Sequence, residues 1–292
     1  MIRLDAATVL LQWAAGGLAF LWVTTRRREV GIGYGWLLRG VYAVLAAGAF
    51  GAGRFGEAVP VRDASSLLCA AGALLALAVS VVRRRAGVRG QREVQERRSA
   101  RVAAMTGVDA DTDVTENGPT GEQRPAVKEF PPALDLVAPA FGLVGLVAGA
   151  AAAGGPTVLA IVRTVAGAGF LGAVSDAMLL GHWYLVQPGL GRDPILHLNR
   201  WLAILWPVEV GALLWPTGMV SVLDGTIRDG YGGILAWFWV ACAVTTLGLC
   251  FVTAKALEEK AYSAVMAATG LLYLAILTAF GTDLVARLVL KA

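Results

Sequence analysis

The chain has 292 residues, 57% of them hydrophobic and 16% charged, with a mean hydropathy of +0.65 and a formal net charge of +4. A water-soluble domain carries about 25% charge and roughly 45–50% apolar residues. The excess here is gathered into long uncharged runs, which excludes a soluble enzyme, a disordered chain and a disulfide-stapled module. It predicts an all-α fold, a polytopic transmembrane helical bundle.

A helix needs about 20 apolar residues to cross a hydrocarbon core of about 30 Å. Eight windows meet that length, at roughly 5–24, 31–52, 64–82, 133–153, 157–186, 200–222, 232–254 and 263–288, each boundary good to about two to four residues. The first has no small-residue cleavage site and is followed by Arg26, Arg27 and Arg28, so it reads as a retained anchor. Arginines also crowd the end of the third, from Arg83, Arg84 and Arg85 to Arg101. Arg192 and Arg200 follow the fifth, and Lys255 and Lys260 follow the seventh. The alternate loops hold only Arg54, Arg62 and Arg228, so the positive-inside rule places both termini outside and the basic loops in the cytoplasm. A bacterial cytoplasmic membrane is the expected location.

Residues 83–131 leave the membrane. The segment begins basic, then turns acidic through Asp109, Asp111, Asp113, Glu116 and Glu122, with helix breakers at Gly118, Pro119, Gly121 and Pro125. It reads as a largely disordered cytoplasmic linker whose first arginines lie near anionic lipid head groups. The linker divides a three-helix part, 1–82, from a five-helix part, 132–292. Juxtamembrane arginines need no nucleic acid to explain them, and none is expected as a partner.

Ionisable side chains inside a span cost about 2.5–3.5 kcal/mol at the helix centre on insertion scales, so they face the bundle interior and find partners. Arg39, Arg163, Asp176 and Glu209 stand out on that ground. Arg39 and Glu209 fall at similar expected depths, which makes an Arg39–Glu209 ion pair the simplest neutralisation. The fifth span holds Gly169, Gly172 and Asp176 on one face, where small residues allow close helix approach or leave room beside the carboxylate. Arg163 and Asp176 lie in opposite halves of that span and are expected to serve different neighbours. His182, Trp183 and Tyr184 then reach the cytoplasmic interface, followed by Gln187-Pro188-Gly189. An imidazole and a phenol at head-group depth suit a quinone ring, with Asp176 or Glu209 handling protons; an aromatic belt and a tight turn would look the same. In the sixth span, Trp206-Pro207 predicts a kink directly before Glu209. In the eighth, Asp283 and Arg287 are spaced to pair on one face.

Two histidines are too few for a diheme cytochrome b or a heme–copper oxidase, and one heme on His182 and His197 is disfavoured by their positions on either side of a turn. The three cysteines form no CxxC pair, so no metal is expected. No protease, ATPase or hydrolase motif is present. The sequence therefore favours a non-catalytic membrane subunit of an electron-transfer or proton-translocating complex. Such a subunit has a quinone-type site at the cytoplasmic end of span five, no intrinsic cofactor, and other membrane subunits as partners. A secondary transporter or channel built on Arg39, Arg163, Asp176 and Glu209 competes, as does a structural or assembly protein whose charges are docking pairs.

Overall fold

The structure, a computed structural model, describes residues 5–27, 29–83, 130–186, 190–215, 218–259 and 261–290. The described residues form helices and short connections, with no strand among them. The expected linker and the Gln187-Pro188-Gly189 turn lie almost wholly or wholly outside them.

Helix α1 (Ala6–Thr25) opens on Asp5, whose carboxylate accepts from the Thr8 amide at 3.1 Å and satisfies a donor that the first turn leaves unpaired. Helix α2 (Ile32–Phe55) ends before Gly56, and α3 (Pro60–Val82) begins on a proline, whose fixed φ suits a first turn. A 3-10 turn, Pro132–Leu136, leads into α4 (Val137–Ala152). The long α5 (Thr157–Val186) follows, then α6 (Asp193–Leu214), a one-turn helix Met219–Leu223, α7 (Ile234–Ala256) and α8 (Tyr262–Val289).

Long helices consecutive in the chain run antiparallel. Gly17 faces Tyr42 while Gly48 faces Leu10 (α1 and α2), and Trp206 reaches Ala243 while Asn199 reaches Cys250 (α6 and α7). The alternation brings Asp5, Arg62, Gly149, Arg163, Leu213 and Arg287 to one end of the bundle, the N-terminal face. Arg26, Arg27, Arg83, Arg192 and Lys255 lie at the opposite end, the basic face. There Arg192 donates to the carbonyls of Leu257 at 3.0 Å and Ala261 at 3.1 Å, tying two connections together.

Glycines set the closest crossings. A methyl at Gly16 would overlap the backbone of Ala168, and one at Gly172 would overlap Gly16, so α1 and α5 meet backbone to backbone. Gly142, Gly145 and Gly149 repeat the device on α4, facing Ala15, Leu11 and Thr8 of α1. These glycines and alanines, which dilute the hydropathy of the fourth expected span, are its packing surface.

Seven of the helices are long and apolar enough to cross a membrane: α1, α2, α3, α4 with its 3-10 turn, α5, α7 and α8. Large apolar side chains point outward, with Val44 71%, Leu277 69% and Phe251 65% exposed, while Gln12, Asp176, Glu209 and Asp283 are 0% exposed. Apolar outside and polar inside is the arrangement of an integral membrane protein. Helix α6 is not among the seven, because Asn199, Arg200, Pro207 and Glu209 lower its apolar character. The uninterrupted window expected at 200–222 is corrected: α6 stops at Leu214 and a one-turn helix resumes at Met219. Trp215 takes extended backbone (φ −125°, ψ 151°), as a residue preceding a proline favours, and ends the helix. Pro207 by contrast lies inside α6 without ending it.

Candidate functional site

The structure separates the intramembrane charges into three groups. Near the basic face, Arg39 holds Asp135 in a bidentate pair, Nε to Oδ1 at 2.7 Å and Nη2 to Oδ2 at 2.6 Å. Thr25 donates to the same carboxylate at 3.1 Å, and Phe130 lies under the guanidinium. The expected Arg39–Glu209 pair is overturned. Arg39 sits two turns into α2 from the basic face, whereas Glu209 sits near the end of α6 at the N-terminal face. Asp135 was the missed partner, and as the one acid at the start of the fourth span it was available in the sequence.

Asp176 forms the second group, midway along the bundle. Its Oδ1 accepts from the Tyr42 hydroxyl, and the Tyr34 hydroxyl donates to its backbone carbonyl at 3.1 Å. Its Oδ2 has no hydrogen-bond partner among the described residues. Tyr34, Leu38 and Tyr42 recur every four residues along one face of α2, a spacing that would have revealed both phenols. The neighbouring Ser175 accepts from Trp13 Nε1 at 2.8 Å, and Trp13 stacks edge-on with Phe280.

The third group is the densest. Asp283 accepts from Arg287 Nε at 2.7 Å and from Gln12 Nε2 at 3.2 Å, so the expected i,i+4 pair is present, in wider company than its spacing implied. Arg287 Nη2 donates to the carbonyl of Arg163 at 2.9 Å, and Arg163 Nε donates to that of Ala212 at 2.8 Å. Glu209 is fully buried beside Asp283, Arg287 and Arg163; no N–H or O–H donor among the described residues reaches its oxygens, and its side-chain hydrogen-bonding neighbour is the Asp283 carboxyl. Gly167 makes the space. A methyl there would meet Arg287 Nη2 and Asp283 Oδ1, each at 2.7 Å, and the Gln12 amide.

A small open cleft at the N-terminal face is lined by two members of this cluster, Arg163 and Arg287. Thr164 and Leu213 line it beside them, and Leu213 stands one turn along α6 from Glu209, which is not itself a lining residue. Asp5, Glu57 and Arg62 line it as well. Arg62 was expected in a loop, but it lies in the first turn of α3 at 1% exposure, ion-paired to Asp5 and to Asp63 at 2.7 Å.

His182 and Tyr184 diverge. His182 is exposed and its Nδ1 meets the Tyr273 hydroxyl at 3.1 Å, while Tyr184 is buried and donates to the Gly191 carbonyl. Among the described residues neither has a hydrogen bond to Asp176 or Glu209. His197 accepts from Trp201 Nε1 at 3.1 Å on its own helix. Among the described residues no group of three or more His, Cys, Asp or Glu is placed to hold a metal.

Outside the spans, Asp229 caps α7, accepting from the amides of Gly233 at 2.9 Å, Tyr231 at 2.9 Å and Leu235 at 3.0 Å. Those amides, Gly233 foremost, hold its carboxyl below the usual range. Gly233 adopts φ +87°, a left-handed conformation that glycine enters without strain. Comparison of the chain with known protein families, curated proteins and solved structures finds no match.

Proposed function

We propose that the chain is a proton-handling integral membrane protein, the membrane part of a proton-translocating or electron-transfer complex, working through Glu209. One observation carries the reading. A fully buried glutamate faces the carboxyl of Asp283 and adjoins two arginines that line a cleft, with no N–H or O–H donor among the described residues on either of its oxygens. A carboxylate that served only to dock helices would have its oxygens occupied, as Asp135 and Asp283 do. Two carboxyls within hydrogen-bond reach of each other hold a proton between them more readily than two charges, so Glu209 can gain and lose one beside Asp283, and the kink-prone Trp206-Pro207 step gives its helix room to move. In this reading α6 is the eighth span, the N-terminal face is external and the basic face cytoplasmic. Other membrane subunits and anionic lipids would cover the exposed helices and the basic loops. The electron-transfer version adds a quinone ring at the exposed His182–Tyr273 pair, whose imidazole and phenol can hydrogen-bond a carbonyl.

The test is proton flux in proteoliposomes loaded with a pH indicator. A pH step across the unsubstituted protein should be dissipated, and Glu209→Gln, which keeps shape and removes the titratable group, should lower the rate at least tenfold while the protein still inserts and unfolds normally. Equal flux in both proteins would refute the assignment.

A further inference from the structure

Asp176 is the buried acid that the Glu209 reading leaves unused. Its Oδ1 accepts from the Tyr42 hydroxyl, and its Oδ2, fully buried, has no hydrogen-bond partner among the described residues. Three helices make room for that arrangement. Gly17 of α1 clears the path of the Tyr42 ring, since a methyl there would come within 2.0 Å of it. Gly172, one turn before Asp176, meets the backbone of Gly16 and draws α5 against α1 at that level. A phenol from α2 thereby passes α1 and reaches a carboxyl on α5.

Among the described residues no charged side chain hydrogen-bonds or ion-pairs with Asp176. Helix α2 presents Tyr42 and Tyr34; its Arg39 is bound to Asp135, and its Arg54 is exposed at the N-terminal face. Helix α1 presents Thr24, hydrogen-bonded to Tyr34, and Trp13; neither α1 nor α4 contains a charged residue. On α6, Asp193, His197 and Arg200 lie toward the basic face and Glu209 toward the other. On α8, Tyr273 meets His182, and Asp283 and Arg287 belong to the Glu209 group. Tyr184, on α5 itself, donates to the Gly191 carbonyl. A carboxylate away from water needs a counter-charge or several donors, and one phenol is neither. A carboxyl with its proton on Oδ2 and Oδ1 fixed by Tyr42 meets both demands.

Helix α1 ties this acid to the Glu209 group. Gln12 donates to Asp283 through Nε2, while its Oε1 has no hydrogen-bond partner among the described residues. The next residue, Trp13, donates to Ser175, the chain neighbour of Asp176. Buried acceptors without a donor thus recur from Glu209 through Gln12 to Asp176, and such acceptors are completed by water or by a proton. We infer that Asp176 is a second proton-binding site, at mid-bundle and in series with Glu209. The step is a proton transfer alone: an O–H bond breaks at the Glu209–Asp283 pair, one forms at Asp176 Oδ2, water carries the proton between them, and no electron moves. Gly167, at the Glu209 group, and Asp176 are about 14 Å apart along α5, which rules out a single direct hop. The series rests on the proton-handling reading of Glu209, while the Asp176 site stands or falls by its own tests.

The experiment uses the full chain in lipid, read by infrared spectroscopy and by proton flux. The unsubstituted protein should show a protonated-carboxyl stretch that Asp176→Asn removes and Glu209→Gln leaves in place. Tyr42→Phe, which keeps the ring beside Gly17 and removes its hydroxyl, should move that band to higher frequency, as a carbonyl released from a donor does. In proteoliposomes Asp176→Asn should lower the flux at least tenfold, and Asp176→Glu, which keeps a carboxyl, should retain more of it than the asparagine variant. A spectrum that loses no carboxyl band in Asp176→Asn means a permanently ionised carboxylate and overturns the inference. An unshifted band in Tyr42→Phe does the same, and decides the matter should the asparagine variant fail to insert. Full flux in Asp176→Asn, where Glu209→Gln abolishes it, overturns the Asp176 site and leaves Glu209 standing. Flux lost in Asp176→Asn but intact in Glu209→Gln keeps the Asp176 site and refutes the Glu209 assignment.

Discussion

Among the buried polar residues, Arg39 shows how much depends on a single partner. Its guanidinium and the Asp135 carboxylate are 3% and 2% exposed and satisfy each other through two hydrogen bonds. Removing one member strands the other charge, which costs about 3–5 kcal/mol in a buried pair. Arg39→Ala should therefore lower the unfolding free energy in mixed micelles by that order, and joint replacement by Leu at positions 39 and 135 should recover most of the loss. A single-substitution loss below about 1 kcal/mol would show that water reaches the pair. The sequence singled out Arg39, Arg163, Asp176 and Glu209 because hydropathy exposes any charge in an apolar run. Gln12 and Asp135 escaped notice, the first because an uncharged amide barely lowers hydropathy and the second because it stands at a helix end. That each charge lies inside a helix was legible, but depth and partner choice were not, since Arg39 and Glu209, expected at similar depths, face different neighbours near opposite faces.

At the scale of the element, helix ends behave as their sequences require. Pro60 opens α3, Asp5 caps α1, and Asp229 gathers three amides before α7. The Asp229 carboxyl titrates lower in the folded loop than in the open chain. Its cap therefore contributes stability at and above the ordinary carboxylate range, and the contribution is lost as pH falls through the folded value. Hydrogen-exchange protection of the Gly233 and Leu235 amides, corrected for the intrinsic rate, should be flat near neutrality and fall only in acid. Asp229→Ala should reduce it at neutral pH and remove the acid transition. Protection unchanged by the substitution would mean that the loop is held by its glycine turns alone. Helix existence was legible from hydropathy for all eight windows, while the stop at Leu214 rested on one X–Pro step. The glycine faces of α4 and α5 were legible as small-residue spacing, but their partner, α1, was not. Glycine permits any close neighbour, and only the approach of Thr8, Leu11, Ala15 and Gly16 identifies which one it has.

Over the whole molecule, alternation of direction gathers the basic residues at one end and the cleft at the other. Under the proposed orientation a membrane-impermeant thiol reagent should label Glu57→Cys in intact cells, and Glu259→Cys only after permeabilisation. The native cysteines are buried and should stay silent. The reverse pattern would invert the assignment of faces and place the cleft on the cytoplasmic side. The sequence by itself determined that this protein lives in a membrane, that its helices are of spanning length, and which residues violate the apolar rule. Those are sums over neighbouring residues, and lipid reads them one helix at a time. Only the tertiary structure decided that Gln12, Arg163, Glu209, Asp283 and Arg287, drawn from four helices, meet in one cluster whose two arginines line a cleft, while Asp176 and Arg39 do not join them. Rotation about each helix axis and the order of helices in space set those meetings, and neither is encoded in the hydropathy of any single run.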